Sequence, residues 1–145
     1  MPNMKTVTVE AKLVERYKIE TRSRQHIAMV DQPPSGGGTD AGPTPLEYLF
    51  ISLAGCLGTV AQMIARQRRL PFRGIEIKIE GDLDLDVIMG KSKDVRAGFQ
   101  NIRVVAKIDA DMTQAEKEAF LHEIDERCPI SDNILNLTPV ECIAE

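Results

Sequence analysis

Between Tyr48 and Ala65 the chain runs eighteen residues without a charge, and no other segment restricts the possible folds as strongly. The run sits inside Pro45 to Leu70, which reads as one long helix. Thr44 is placed to cap it, Pro45 takes the first turn, where a missing N–H costs nothing, and Glu47 lies close to the positive end of the helix dipole. Leu46, Leu49, Phe50, Leu53, Leu57, Val60 and Ile64 recur at spacings of three and four and form one apolar stripe. Ile51, Ala54, Gly58, Ala61 and Ala65 form a second, so the helix is apolar on two sides and needs partners on both. The same length makes a membrane span a candidate, with RQRR as a positive flank. Ser52, Thr59, Gln62 and two glycines inside the run, with amphipathic strands on either side that need one another, favour the central helix of a soluble core.

Those strands are legible from period-two alternation. Thr6 to Ile19 reads as one long strand or a hairpin, and His26 to Val30 as a second strand. Gln32 to Thr44 holds three Pro and four Gly in thirteen residues and is a loop beside the start of the helix. After Pro71, Ile75, Ile77 and Ile79 alternate with charges. Leu83, Leu85 and Val87 do the same around an expected turn at Gly81-Asp82. Met89 to Gly98 reads as a polar loop and Ile102 to Ile108 as a further strand. Thr113 with Glu116 three residues on is a capping box that opens a helix to about Arg127. Cys128-Pro129 breaks that helix, a short one follows through Leu135, and Pro139 to Ile143 is expected as an edge strand. The irregular order of strands and helices points to an α+β fold.

At 145 residues the chain is the size of a single domain, 1–145. Domains of this size bury roughly 68–70% of their unfolded surface, enough for a core without disulfide or metal staples. Aromatic residues make up 4% and Trp is absent, so Leu, Ile, Val, Met and Ala must build that core. With 18 Lys and Arg against 22 Asp and Glu the net charge is -4, which argues against nucleic acid as a partner. The N-terminus carries no apolar targeting stretch, so the expected compartment is the cytosol. Cys56, Cys128 and Cys142 form neither a CxxC nor a Cys/His cluster, leaving a zinc site without a framework.

In a reducing compartment such cysteines are either inert or working thiols. Cys56 sits at the edge of the main apolar stripe, where a lone Cys is commonly a small hydrophobe, but Gly55 and Gly58 leave room for something to approach it. Cys128 precedes a Pro at the first position of a short helix, whose unpaired N–H groups favour thiolate. Glu123, Asp125, Glu126 and Asp132 oppose it unless they point away. Cys142 is expected to pack in the terminal strand. Glu47 lies nine residues before Cys56, on the opposite helix face at 100° per residue, so if both are functional Glu47 must act on a neighbouring copy. It serves equally as a dipole partner. Arg22 and Arg24 are candidate partners for an anion or thiolate, or solvated surface residues. His26 and His122 lack triad spacing and are taken as structural.

The run GGGTDAGPTPLEYLFISLAGC, followed 72 residues after its Cys by CPISDNIL, resembles the OsmC/Ohr family of organic hydroperoxide reductases. The strand HIAMVD before the loop fits as well, and the likeness covers nearly the whole chain. The nine-residue Glu-to-Cys spacing matches its YhfA-like branch. Where the family often carries Arg before the strand His, this chain has Gln25, with Arg24 one residue earlier.

The resemblance implies an α+β, OsmC-like fold with two antiparallel sheets around a long central helix, assembled as an intertwined homodimer with active sites at the interface. It makes Cys56 the peroxidatic thiol and Cys128 the resolving thiol. Glu47 is then supplied across the dimer, paired with an Arg, here Arg24 or Arg22. The implied chemistry is attack of Cys56 on an organic hydroperoxide to give a sulfenic acid, closure to a Cys56–Cys128 disulfide, and reduction by an external dithiol such as a lipoylated protein. No metal, flavin or haem cofactor is implied, and no membrane. The competing reading is a non-peroxidase member of the same fold, a small-molecule binder or a thiol redox sensor.

Overall fold

A computed structural model describes residues 1–145. The chain packs as two compact units, Met1–Leu49 and Phe50–Glu145.

The first unit is built on an antiparallel sheet in the order β1 (Glu10–Glu15), β2 (Lys18–Ser23), β3 (His26–Val30). Of the two readings of the N-terminal pattern, the hairpin is the one observed. Arg16, at φ 48°, turns β1 into β2. A second tight turn follows directly, because Ser23 pairs with His26 and Arg24 takes φ 56° between them. Asp31 is the one buried residue of this unit, and Leu13 and Ile27 are more than half exposed. The Gly/Pro-rich loop is an ordered structure hung on Asp31. Its carboxylate accepts hydrogen bonds from Gln32 N (2.8 Å), Thr39 N (3.2 Å), Thr39 Oγ1 (2.8 Å) and Ala41 N (3.0 Å). Gly38 is required there by close approach, since a Cβ would lie 2.0 Å from the Gln32 carbonyl oxygen.

Helix α1 runs Pro45–Arg68, two residues short of the expected end. It stops where Arg69 enters the left-handed region at φ 54° and the Leu70 N–H returns to Ala65 O at 2.9 Å, a closure of the Schellman kind without its usual glycine.

The second unit pairs β4 (Phe72–Asp82) with β5 (Asn101–Ala110) antiparallel, followed by α3 (Gln114–Arg127) and α4 (Pro129–Leu135). Ile75 opposes Ile108, Ile77 opposes Ala106 and Ile79 opposes Val104, so the alternating isoleucines present one apolar face. Leu53, Leu57, Val60, Ala61, Ile64 and Ala65 of α1 pack in one cluster with Ile108, Ala110, Phe120, Ile124 and Cys128. This burial makes the uncharged run a core helix. Burying a side chain such as Ile64, at 0% exposure, is worth about 1.5–3 kcal/mol. The second apolar stripe divides: Ala61 and Ala65 are buried, whereas Ile51 is 51% exposed and Gly58 has open space beyond it.

Three expected elements do not form. Gly81-Asp82 is the end of β4 and not a hairpin turn, and Leu85–Ile88 is a single helical turn, α2. Gly81 lies beneath the stacked Phe50 and Phe99 rings, whose centroids are 4.7 Å apart, and a Cβ there would be 2.8 Å from each ring. Asp84 caps α2 by accepting the Asp86 N–H at 2.9 Å, so a local side-chain bond overrides the alternation. The expected strand at Pro139–Ile143 is irregular and exposed, because alternation specifies a face but supplies no neighbouring edge to pair with. Cys142 is accordingly exposed, against the expectation that it packs.

Candidate functional site

Cys56 and Cys128 are brought together in the second unit although 72 positions separate them. Cys56 is half-buried on α1 against the core cluster, and Cys128 is 1% exposed. Cys128 is at once the C-cap of α3 and the N-cap of α4, a junction set by the following Pro129. Its N–H donates to Asp125 O at 3.2 Å, and its Sγ accepts the Ser131 N–H at 3.4 Å.

The helix-end N–H groups of Ser131 and Ile130 do act on the Cys128 sulfur and favour its thiolate, as the sequence suggests. Burial outweighs them, and a hydrogen bond with the Cys56 side chain adds to it, so the Cys128 thiol is pushed above its usual range. The neighbouring acids take little part. Glu123 pairs with Arg68 at 2.6 Å, Glu126 meets His122 Nε2 at 3.1 Å, and Asp132 accepts the Asn136 side-chain amide at 3.1 Å. Asp125 is different: its Oδ1 accepts a 2.5 Å hydrogen bond from Ser131 Oγ. Sequence reading weighed Asp125 only as a charge and passed over Ser131. A Ser three residues after a helix-capping Cys was the available signal.

In the first unit, Glu47 and Thr44 form a reciprocal capping box. Thr44 N donates to Glu47 Oε2 at 2.8 Å and Glu47 N donates to Thr44 Oγ1 at 3.3 Å. The T-x-x-E signature recognised at Thr113–Glu116 thus occurs a second time, and one Glu47 oxygen is committed to it. Tyr48 Oη donates to Met29 O at 2.6 Å, joining the helix start to β3. Arg24 is exposed at the β2–β3 turn and Arg22 is exposed on β2, and neither forms an ion pair with Glu47 within the chain. The loop that carries the box onward from β3 is fixed by Asp31. Its backbone N–H donors, that of Ala41 foremost, hold the carboxyl down at a pKa of about 2.

Residues 37–143, three quarters of the chain, match the family model described as OsmC-like protein. The chain belongs to the OsmC-like family. Solved structures share the fold at low identity. An OsmC-like protein from Mycoplasma pneumoniae superposes with a TM-score of 0.79 at 20% identity, covering 92% of this chain and 89% of the other. An organic hydroperoxide resistance protein OsmC from Legionella pneumophila gives 0.69 at 19%, covering 92% and 91%. An organic hydroperoxide resistance protein from Elizabethkingia anophelis gives 0.65 at 15%, covering 91% and 89%. None of the curated proteins matches the chain. The α+β architecture of two small antiparallel sheets and a long helix is therefore the OsmC-like one.

Proposed function

We propose that this OsmC-like protein is a cytoplasmic thiol peroxidase that reduces organic hydroperoxides to alcohols. The observation that carries the reading is the pairing of a half-buried Cys56 with a fully buried Cys128 whose proton is held by burial and by Cys56 itself. Two thiols in contact with unequal access suit a division of labour: the accessible one meets the peroxide, and the sheltered one waits for the product of that encounter. Cys56 sulfur takes the distal oxygen of ROOH, the O–O bond breaks, and ROH leaves with the proton. Sulfur is oxidised to sulfenic acid as the peroxide oxygen is reduced. Condensation with Cys128 gives the Cys56–Cys128 disulfide and water, and an external dithiol, such as a lipoylated protein, restores both thiols.

In this proposal the active form is a homodimer in which Glu47 of one protomer orients Arg24 or Arg22 beside Cys56 of the other. The Arg charge then favours the Cys56 thiolate and the alkoxide that develops as the O–O bond parts. Support comes from apolar surface that the single chain leaves uncovered: Ile51 and Met63 on α1 at 51% and 48%, and Leu13 and Ile27 of the first sheet at 61% and 55%.

The test is intact mass and thiol count of the reduced protein after one equivalent of cumene hydroperoxide, with hydrogen peroxide alongside. Rapid loss of two thiols mapped to Cys56 and Cys128, faster with the organic peroxide and abolished in Cys56→Ser, is the expected result. Three thiols that persist as long as a simple free thiol would overturn the peroxidase and leave a ligand-binding role for the fold.

A further inference from the structure

Beside the two cysteines lies a buried hydroxyl to which the chemistry above gives no task. Ser131 is 7% exposed. Its Oγ donates to Asp125 Oδ1 at 2.5 Å, its backbone N–H donates to Cys128 Sγ at 3.4 Å, and Asp125 O receives the Cys128 N–H at 3.2 Å. Asp125 belongs to the last turn of α3 and Ser131 to the first turn of α4. The three residues thus close a ring across the helix junction that holds Cys128 at both its nitrogen and its sulfur. The Ser131 hydroxyl directs its hydrogen bond to Asp125. Its hydrogen bond to Asp125 fixes the first turn of α4 against α3, and so fixes where the Ser131 N–H meets the sulfur. Pro129 has no N–H to offer, so the thiol is oriented by the N–H groups of Ser131 and Ile130 and by the Cys56 side chain, and Ser131 alone among them is tied back to α3 through its side chain.

We propose that Asp125 and Ser131 are positioning residues for the resolving thiol: their hydrogen bond holds Cys128 Sγ facing Cys56, and it sets the rate of disulfide closure while leaving peroxide attack untouched. The proposal rests on the peroxidase reading. In the step concerned, the Cys128 sulfur donates an electron pair to the Cys56 sulfenyl sulfur. The S–S bond forms as the S–O bond breaks, and the departing hydroxide leaves with the thiol proton as water. A buried thiol that holds its proton is a poor nucleophile, so geometry is the factor the fold can still contribute.

The experiment compares wild type, Ser131→Ala, Asp125→Ala and Asp125→Asn as full-length proteins. Cumene hydroperoxide is added, Cys56 sulfenic acid is captured with dimedone, and disulfide is followed by the loss of two hydrogens in intact mass. Ser131→Ala and Asp125→Ala are expected to form the sulfenic acid at the wild-type rate but to close the disulfide roughly ten- to a hundredfold more slowly. They should accumulate dimedone adduct and sulfinic acid. Asp125→Asn keeps an acceptor oxygen and is expected to restore closure, which a role for the negative charge would not allow. If Ser131→Ala does not fold, the two Asp125 variants carry the same comparison. Closure at the wild-type rate in the Ala variants, or equal slowing of both steps, overturns the positioning role and leaves the peroxidase intact. A wild-type Cys56 that resists oxidation overturns the peroxidase, and this role with it.

Discussion

Asp31 and Cys128 illustrate how opposite environments act on groups buried to the same degree. Asp31 is 1% exposed yet its carboxyl is held at about 2, because three N–H groups and the Thr39 hydroxyl converge on it. Cys128 is equally buried and has few donors, so its proton is retained. The sign of the pH dependence follows. A carboxyl with a folded-state pKa below its unfolded value of 3.8 stabilises the fold above about pH 4, and that contribution disappears as the pH falls from 4 towards 2. Asp31→Asn should lower the urea midpoint at pH 7 and should lose less further stability than wild type on acidification to pH 2. Parallel losses in the two proteins would mean that other carboxylates, among them Glu80, Asp82 and Asp109, dominate acid unfolding.

At the scale of elements, the start of α1 matters most, because the proposed Glu47 is also a structural cap. Thr44→Ala removes the acceptor for Glu47 N and should cost about 1 kcal/mol, seen as a lower urea midpoint with an unchanged slope. Thr113→Ala, in the equivalent box of α3, should cost about the same. The two variants should differ in peroxide turnover: the change at Thr44 loosens Glu47, and the change at Thr113 touches no proposed reactive group. Equal turnover in both would argue that Glu47 is a cap and nothing more.

For the whole molecule, the claim open to direct test is that the site needs two copies. Sedimentation should return twice the 16.1 kDa chain mass, and Met63→Glu on the exposed face of α1 should shift it towards monomer. Mixing Glu47→Ala protomers with Cys56→Ser protomers should restore turnover in the heterodimers, since one composite site then has an intact Glu47 from one chain and an intact Cys56 from the other. Mixtures as inactive as their parents would confine both groups to one chain.

Local patterns, whose physics is local, were readable in the amino-acid sequence alone. The uncharged helix with its proline start, the isoleucine alternation of β4, the Thr113–Glu116 box and the Cys128-Pro129 break each depend on neighbours a few positions away. Family membership was legible for the same reason, because two cysteine contexts are conspicuous even 72 positions apart. Alternation alone was enough where a second edge was present to pair with, and it failed in two places where none was. Leu83 to Val87 became a capped turn and Pro139 to Ile143 stayed unpaired, because a strand exists only if another edge accepts its hydrogen bonds. Tertiary structure alone decided the balance at Cys128. The sequence shows the helix-end donors that favour a thiolate, but desolvation depends on what the core places around the sulfur, and there burial in the core cluster and the half-buried Cys56 outweigh the donors. The Asp125–Ser131 bond belongs to the same class. Six positions apart and across a helix break, its two side chains meet only because α3 and α4 fold back on their shared cysteine.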